Sequence, residues 1–270
     1  MCRRRQGLLG ALLLAMLVGS EASAGEVLIA AVHFPPYVIK PEEDPHRGLL
    51  GDLVKSLNQV QSRHRFALRA TSLNRRFEDF RKARIHVAIF ENPDWNWQGV
   101  AGTRVELGLE DSEVLVARRE RGRDQHYFDN LKDKRLALFN GYHYGFADFN
   151  SDPQWLEAHF NPVITYSHES NLKLLLRGRA DVALITRSWL GARMREQPQL
   201  REELLISAKE DQRYRHYAIL SPKAPISADE FRAAMEQLRQ NGELQRIFAP
   251  YGIDVIPSAA DSSAAVDAAD

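Results

Sequence analysis

Residues 135–145, RLALFNGYHYG, carry the arrangement in this chain best suited to holding a small anion. Arg135–Phe139 reads as a short, mostly apolar strand. Asn140 and Gly141 break it, and the residues from Tyr142 onward read as the start of a helix. A strand that ends in a glycine turn and feeds a helix leaves backbone N–H groups free at the helix start. The positive end of the helix dipole there suits a carboxylate. Tyr142 and Tyr144 would add ring faces and hydroxyls beside it. An ordinary strand-to-helix turn of an α/β domain shows the same pattern, so the rest of the chain has to decide between the two.

Two other strand ends gather chemistry. Residues 26–32, EVLIAAV, read as a buried strand running into His33-Phe34-Pro35-Pro36-Tyr37. Two prolines cannot continue a central strand, so the chain turns here with Phe34 and Tyr37 at the strand's end. In an open α/β sheet such ends line the ligand crevice; a rigid surface turn is the alternative. Residues 85–90, IHVAIF, end at Glu91-Asn92-Pro93 and lead into DWNWQGVAGTR. Trp95 and Trp97 there would floor a binding site or cover the core.

The elements that must position these residues alternate. After the first strand, residues 48–62 carry an apolar stripe at helical spacing. A strand (66–70), a short helix (75–82) and the strand 85–90 follow. A strand-like SEVLVAR lies within residues 106–118, and the charged break RRERGRDQH after it reads as a solvated loop. A second such pattern comprises strands at 135–139, 162–166 and 180–185, with helices from Tyr144, over 169–177 and over 188–196. Short strands at 204–208 and 214–220 come next. Ser227 and Glu230 form a capping-box pair that opens the last helical stretch, which runs to about Phe248. This alternation predicts an α/β protein with largely parallel sheets in two units. The C-terminal helices have no sheet of their own and must pack back on an earlier unit.

Composition bounds the function. The chain has 270 residues, 44% hydrophobic and 27% charged, with a formal net charge of zero, which gives no support to a nucleic-acid binder. Arg3, Arg4 and Arg5, the apolar run 8–18 and Ala22-Ser23-Ala24 have the order of a cleavable export signal over residues 1–24. Its removal takes three arginines and Glu21, leaving 33 basic and 35 acidic residues. It also takes Cys2, the only cysteine, so the exported chain has no disulfide or thiol chemistry. The tail 257–270 is small and polar and reads as disordered.

Taken in order, these segments resemble the family 3, amino-acid-binding type of periplasmic solute-binding protein. VLIAAVHFPPYV resembles the first strand and its "PP(F/Y)" turn. GLLGDLVKSLNQV resembles the "G-x-x-x-DL" first helix, with Gly48, Asp52 and Leu53 in place. ARIHVAIFE stands where the family has "G-x-x-D-x-x" and its following strand. YFDNLKDKRLALFNGYHYG resembles "dLkGkrvgv-x-x-Gy-x-yg". YSHESNLKLLLRGRADVALIT resembles "s-x-e-x-L-x-x-L-x-x-GR-x-D", with Glu169, Leu172, Gly178, Arg179 and Asp181 matching. HYAILSPKAP and ELQRIFAPYG resemble the family's end. Asp52, Gly178 and Asp181 read as structural.

The resemblance implies an α/β, two-lobed periplasmic-binding-protein type II (Venus-flytrap) fold with a hinge between the lobes. Lobe 1 would comprise 25–117 and the return 213–256; lobe 2 would be 118–212. It implies a periplasmic monomer that captures a small polar or anionic solute, an amino acid or related carboxylate, and delivers it to an ABC permease or presents it to a membrane sensor. It implies no cofactor and no metal. The candidate ligand-binding residues are Phe34, Tyr37, Glu91, Trp95, Gly141, Tyr142, Tyr144 and Thr186. Phe34 and Tyr37 would sandwich the ligand, Glu91 would take a cation or hydroxyl, and the backbone around Gly141 would hold a carboxylate. Arg76 and Arg104 are further candidates, each with a surface-charge alternative; for Thr186 the alternative is a helix N-cap.

Two departures from the family pattern bear on the solute. The place of the family's "T-x-x-R" carboxylate clamp holds NPDWNWQGVAGTR, and the place of its amine-binding Asp holds Thr186. Rings and a basic residue suit an anionic or aromatic solute at least as well as an α-amino acid. A dehydratase-like enzyme on the same fold is the main alternative, with Glu91, Glu169 or His143 as its acid. No paired-carboxylate or nucleophile–His–acid pattern supports it, so no enzymatic activity is expected. The nine histidines form no close ligand pair.

Overall fold

The computed structural model describes residues 25–256. The expected export signal and the polar tail lie outside the described residues. The first unit begins with β1 (Gly25–Val32), α1 (Leu49–Val60), β2 (His64–Thr71), α2 (Arg76–Arg81) and β3 (Val87–Glu91). Strand β4 (Thr103–Arg118) leads to the second unit: β5 (Arg135–Phe139), α3 (Pro153–His159), β6 (Asn161–Thr165), α4 (His168–Leu176), β7 (Val182–Thr186), α5 (Arg187–Glu196) and α6 (Leu200–Glu203). Strand β8 (Leu204–Leu220) returns, and α7 (Ala228–Gln240), α8 (Glu243–Phe248) and β9 (Asp254–Val255) end the chain.

Two parallel triplets, β2-β1-β3 and β7-β5-β6, flank the antiparallel pair β8-β4, in the order β2-β1-β3-β8-β4-β7-β5-β6. Strands β4 and β8 are long because each serves both units. Thr103–Glu106 pair with Tyr217–Leu220 beside β3, whereas Glu113–Val116 pair with β7. The two short strands read at 204–208 and 214–220 are therefore one strand with an irregular register near its middle.

Each unit has its own core. In the first, Ile29, Leu53, Leu57, Phe66, Val87 and Leu107 pack with Phe231, Leu238 and Phe248, so α7 and α8 do return to it. In the second, Val114, Val116, Leu172, Leu175 and Ile185 form one cluster, and Leu136, Leu138, Tyr144 and Leu184 another. Helix α7 starts with the reciprocal capping box between Ser227 and Glu230 that the sequence signalled.

Two local features place the candidate residues. Gly48 has φ 109°, and a Cβ there would stand 2.6 Å from the Tyr37 carbonyl oxygen. This glycine lets α1 start against the proline turn, where Leu49 and Leu50 donate to the carbonyls of Pro36 and Tyr37. The second is the segment after β5. It does not form the helix expected from Tyr142 or Tyr144. Gly141, at φ 73°, turns the chain, a short 3₁₀ turn spans Gly145–Ala147, and the next α-helix waits until Pro153. Asp148 and Phe149 both take left-handed backbone angles, which an α-helix cannot continue through.

Candidate functional site

A cavity of about 70 Å³ lies where the ends of β1 and β3 and the start of α2 meet the turn after β5. Phe34, Tyr37, Phe90 and Trp95 come from the first unit, Tyr142 and His143 from the second, and Tyr214 and His216 from β8. The rings interlock. Phe34 lies parallel to Tyr142 with centroids 5.2 Å apart. Trp95 meets Tyr214 edge-on at 5.0 Å and lies nearly parallel to His143 at 6.2 Å. The hydroxyls of Tyr142 and Tyr214 are 3.2 Å apart. Ring pairs in these geometries add to the stabilisation that their buried area gives.

One ion pair stands in the wall. Arg76, 2% exposed, donates from Nε and Nη2 to the two oxygens of Glu91 at 2.7 and 3.1 Å, and from Nη1 to the Leu73 carbonyl. The indole N–H of Trp97 donates to Glu91 at 2.8 Å. The bidentate geometry and the third donor satisfy both Glu91 oxygens, which is what makes a buried pair tolerable.

Behind the rings sit acids, Asp111, Glu113 and Asp211, that form no ion pair among the described residues. The Tyr37 hydroxyl lies 2.6 Å from Asp111 Oδ2 and 2.8 Å from His216 Nε2. Burial raises the Asp111 carboxyl. Glu113 is wholly buried, and neither of its carboxyl oxygens finds a hydrogen-bond partner among the described residues. Burial, and then the nearby Asp211 and Asp111, push its pKa well above the usual carboxylate range. Desolvation holds the histidines neutral: His143 falls to about 4 and His216 to about 3.

Around Gly141, where a ligand carboxylate was expected, Gly141 lines the cavity and the Tyr142 amide donates to the Phe139 carbonyl at 3.2 Å. Asp211 on β8 accepts from the N–H groups of Gly145 and Phe146 at 2.7 and 2.8 Å.

Six of the eight residues singled out from sequence line the cavity: Phe34, Tyr37, Glu91, Trp95, Gly141 and Tyr142. Tyr144 lies elsewhere. With no helix to carry it outward, it turns into the second core, and its hydroxyl accepts from the Phe139 amide at 2.7 Å. Thr186 is also outside the lining; it ends β7 beneath α4, with Oγ1 3.0 Å from His168 Nε2. It occupies the N-cap position of α5, but its side chain makes no capping bond. Arg76 proves to be a buried member of the wall, whereas Arg104 is exposed on β4. Phe90, Tyr214 and His216 were not singled out. The alternation Arg213-Tyr214-Arg215-His216 was the available sign, since it puts the ring residues on one face of β8.

No protein-family model matches the chain, and no curated protein does. Solved structures match it over most of its length. The ligand-binding core of GluR0 from Nostoc punctiforme, in complex with L-glutamate, is similar at 16% identity and TM-score 0.63, over 83% of this chain and 98% of that one. A putative binding component of an ABC transporter from Wolinella succinogenes, complexed with lysine, is similar at 13% identity and TM-score 0.64, over 83% and 94%. A histidine kinase sensor domain with similarity to periplasmic binding proteins is similar at 17% identity and TM-score 0.63, over 86% and 98%. The chain thus has the two-lobed α/β fold of the periplasmic binding proteins. Its structural neighbours are consistently solute-binding proteins of family 3, the substrate-binding proteins of amino-acid ABC transporters among them. No helix among the described residues is long and apolar enough to cross a membrane.

Proposed function

We propose that this protein is an exported solute-binding protein that closes its two lobes over one small molecule. The observation that carries the reading is the cavity in which rings from both units and the Arg76–Glu91 pair converge. We place the lobe crossovers near Ser112 on β4 and Gln212 on β8, where strand pairing changes from one unit to the other. The first falls a few residues before the boundary at 117 read from sequence, because Val114 and Val116 pack in the second core. Closure would bring Tyr142 onto Phe34, Trp95 and Tyr214.

The loaded form would serve a membrane permease of the ABC type. The likeness to a histidine-kinase sensor domain supports a second use, in which a membrane sensor reads the closed form. Candidate ligand residues are those lining the cavity, with Arg76 added and Tyr144 and Thr186 set aside. The interior of the cavity is built for recognition, so we read the protein as a binder and not as an enzyme.

The test is a thermal-shift and tryptophan-fluorescence screen of the purified protein against amino acids, polyamines, organic acids and aromatic compounds. A ligand at 100 times its dissociation constant stabilises by about 2.7 kcal/mol. A hit whose shift disappears in Trp95→Ala and Tyr142→Ala supports the reading. A screen without hits on protein shown by mass spectrometry to be ligand-free sinks it.

A further inference from the structure

The charge and the free hydrogen-bonding groups of the cavity wall narrow the solute, if the cavity is the binding site proposed above. Among the seventeen residues that line it, Arg76 and Glu91 carry the formal charges, and each satisfies the other. Trp97 completes Glu91. A carboxylate or ammonium entering this space would lack a free counter-charge. It would have to break the internal pair and strand one buried charge, which costs several kcal/mol.

Two wall groups stand out. His143 Nε2 and His216 Nδ1 are buried ring nitrogens without a well-formed hydrogen bond among the described residues, on residues 3% and 2% exposed, and of the two only His216 has a backbone group, that of Phe90, near its ring. A buried polar atom left unpaired is costly until a ligand pairs it. A ring nitrogen of a neutral imidazole is a donor or an acceptor according to its tautomer. A hydroxyl can answer either one, because it both donates and accepts.

Size sets the remaining bound. A protein cavity of roughly 150 Å³ accommodates benzene. At about 70 Å³ this cavity is smaller, so it favours a small solute, and even a single ring requires Phe34 and Tyr142 to part. The surrounding ring faces match such a body in kind.

We infer that the solute is an uncharged, single-ring aromatic carrying a hydroxyl, the phenol class. This differs from the glutamate and lysine bound by two of the structural neighbours, which carry charge.

The experiment is calorimetric titration of the purified protein with phenol, toluene, benzoate, L-glutamate and L-arginine, repeated on His143→Phe and His216→Phe. Phenol should bind at least tenfold more tightly than toluene and than benzoate, and the two amino acids should give no heat. At least one histidine variant should bring the phenol-to-toluene ratio close to one. Three results overturn the inference: phenol fails to bind, phenol and toluene bind equally to the wild type, or a charged probe binds best. Binding of L-glutamate or L-arginine with a Trp95-dependent fluorescence change would leave the solute-binding reading standing and remove only this class. Should either variant fail to fold, the wild-type series alone still decides.

Discussion

The ring of Tyr142 lies within 3° of parallel to that of Phe34, joining the turn after β5 to the turn after β1 across the two units. Trp95 and Tyr214 then close around Tyr142. This contact is one of several ring contacts that tie the two sides of the cavity, beside those of Phe34 with Phe139 and His168, and its strength can be measured. A double-mutant cycle of Phe34→Ala and Tyr142→Ala should give a coupling of about 0.5–1.5 kcal/mol, the usual range for an aromatic pair. Each single variant should also raise the radius of gyration in solution scattering. A coupling near zero would mean that the rings do not hold the lobes.

Removing one member of the Arg76–Glu91 pair leaves the other charged and buried. Glu91→Gln should cost about 3–5 kcal/mol in urea unfolding. Replacing both, as Arg76→Met with Glu91→Leu, should recover much of that loss. The residual cost should reflect the unpaired Trp97 N–H, about 1–3 kcal/mol. A double-variant loss equal to the sum of the losses in Glu91→Gln and Arg76→Met would show that the pair is not coupled.

Glu113 gives the fold a pH dependence with a definite sign. Its ordinary value is 4.5, and the folded state holds its pKa well above that. Above pH 4.5 the unfolded chain releases this proton while the folded chain keeps it. Stability therefore falls as pH rises, until the folded pKa is passed. The slope for one proton is at most about 1.4 kcal/mol per pH unit. The buried histidines act oppositely and at lower pH: their depressed values make stability rise with pH up to about their ordinary 6.5. The difference between wild type and Glu113→Gln cancels the histidines. That difference should grow in favour of the variant as pH rises above 4.5 in unfolding experiments. A flat difference would remove Glu113 as a buried proton holder.

Asp211→Ala should free the amides of Gly145 and Phe146. The variant should lose stability, and acetate should raise its melting temperature while leaving the wild type unchanged. If acetate affects both alike, Asp211 is not what occupies those donors.

Much of the fold was legible because its signals are local. The proline pair after β1, the apolar stripe of α1 and the Ser227–Glu230 box each fix geometry within a few residues. The same holds for Phe34, Tyr37, Glu91 and Trp95, all at strand ends, where an α/β sheet opens. Tyr144 was not legible. Whether it faces out on a helix or in from a 3₁₀ turn depends on Asp211, 66 residues away, gripping Gly145 and Phe146. The burial of Arg76 depends likewise on Glu91 and Trp97, reached only through the fold. Glu113 left a faint trace as an acid inside the apolar run of β4. That trace says it is unusual and does not say what surrounds it.

The grip of Asp211 is also a competition. A group tethered to its own site by the fold acts at an effective concentration of the millimolar order or higher. A free carboxylate in the surrounding fluid contends with that tethered one each time it arrives at Gly145 and Phe146. Abundant anions are thereby turned away by a resident rival, and the turn that carries Tyr142 and His143 to the cavity keeps its shape whatever the surrounding fluid contains.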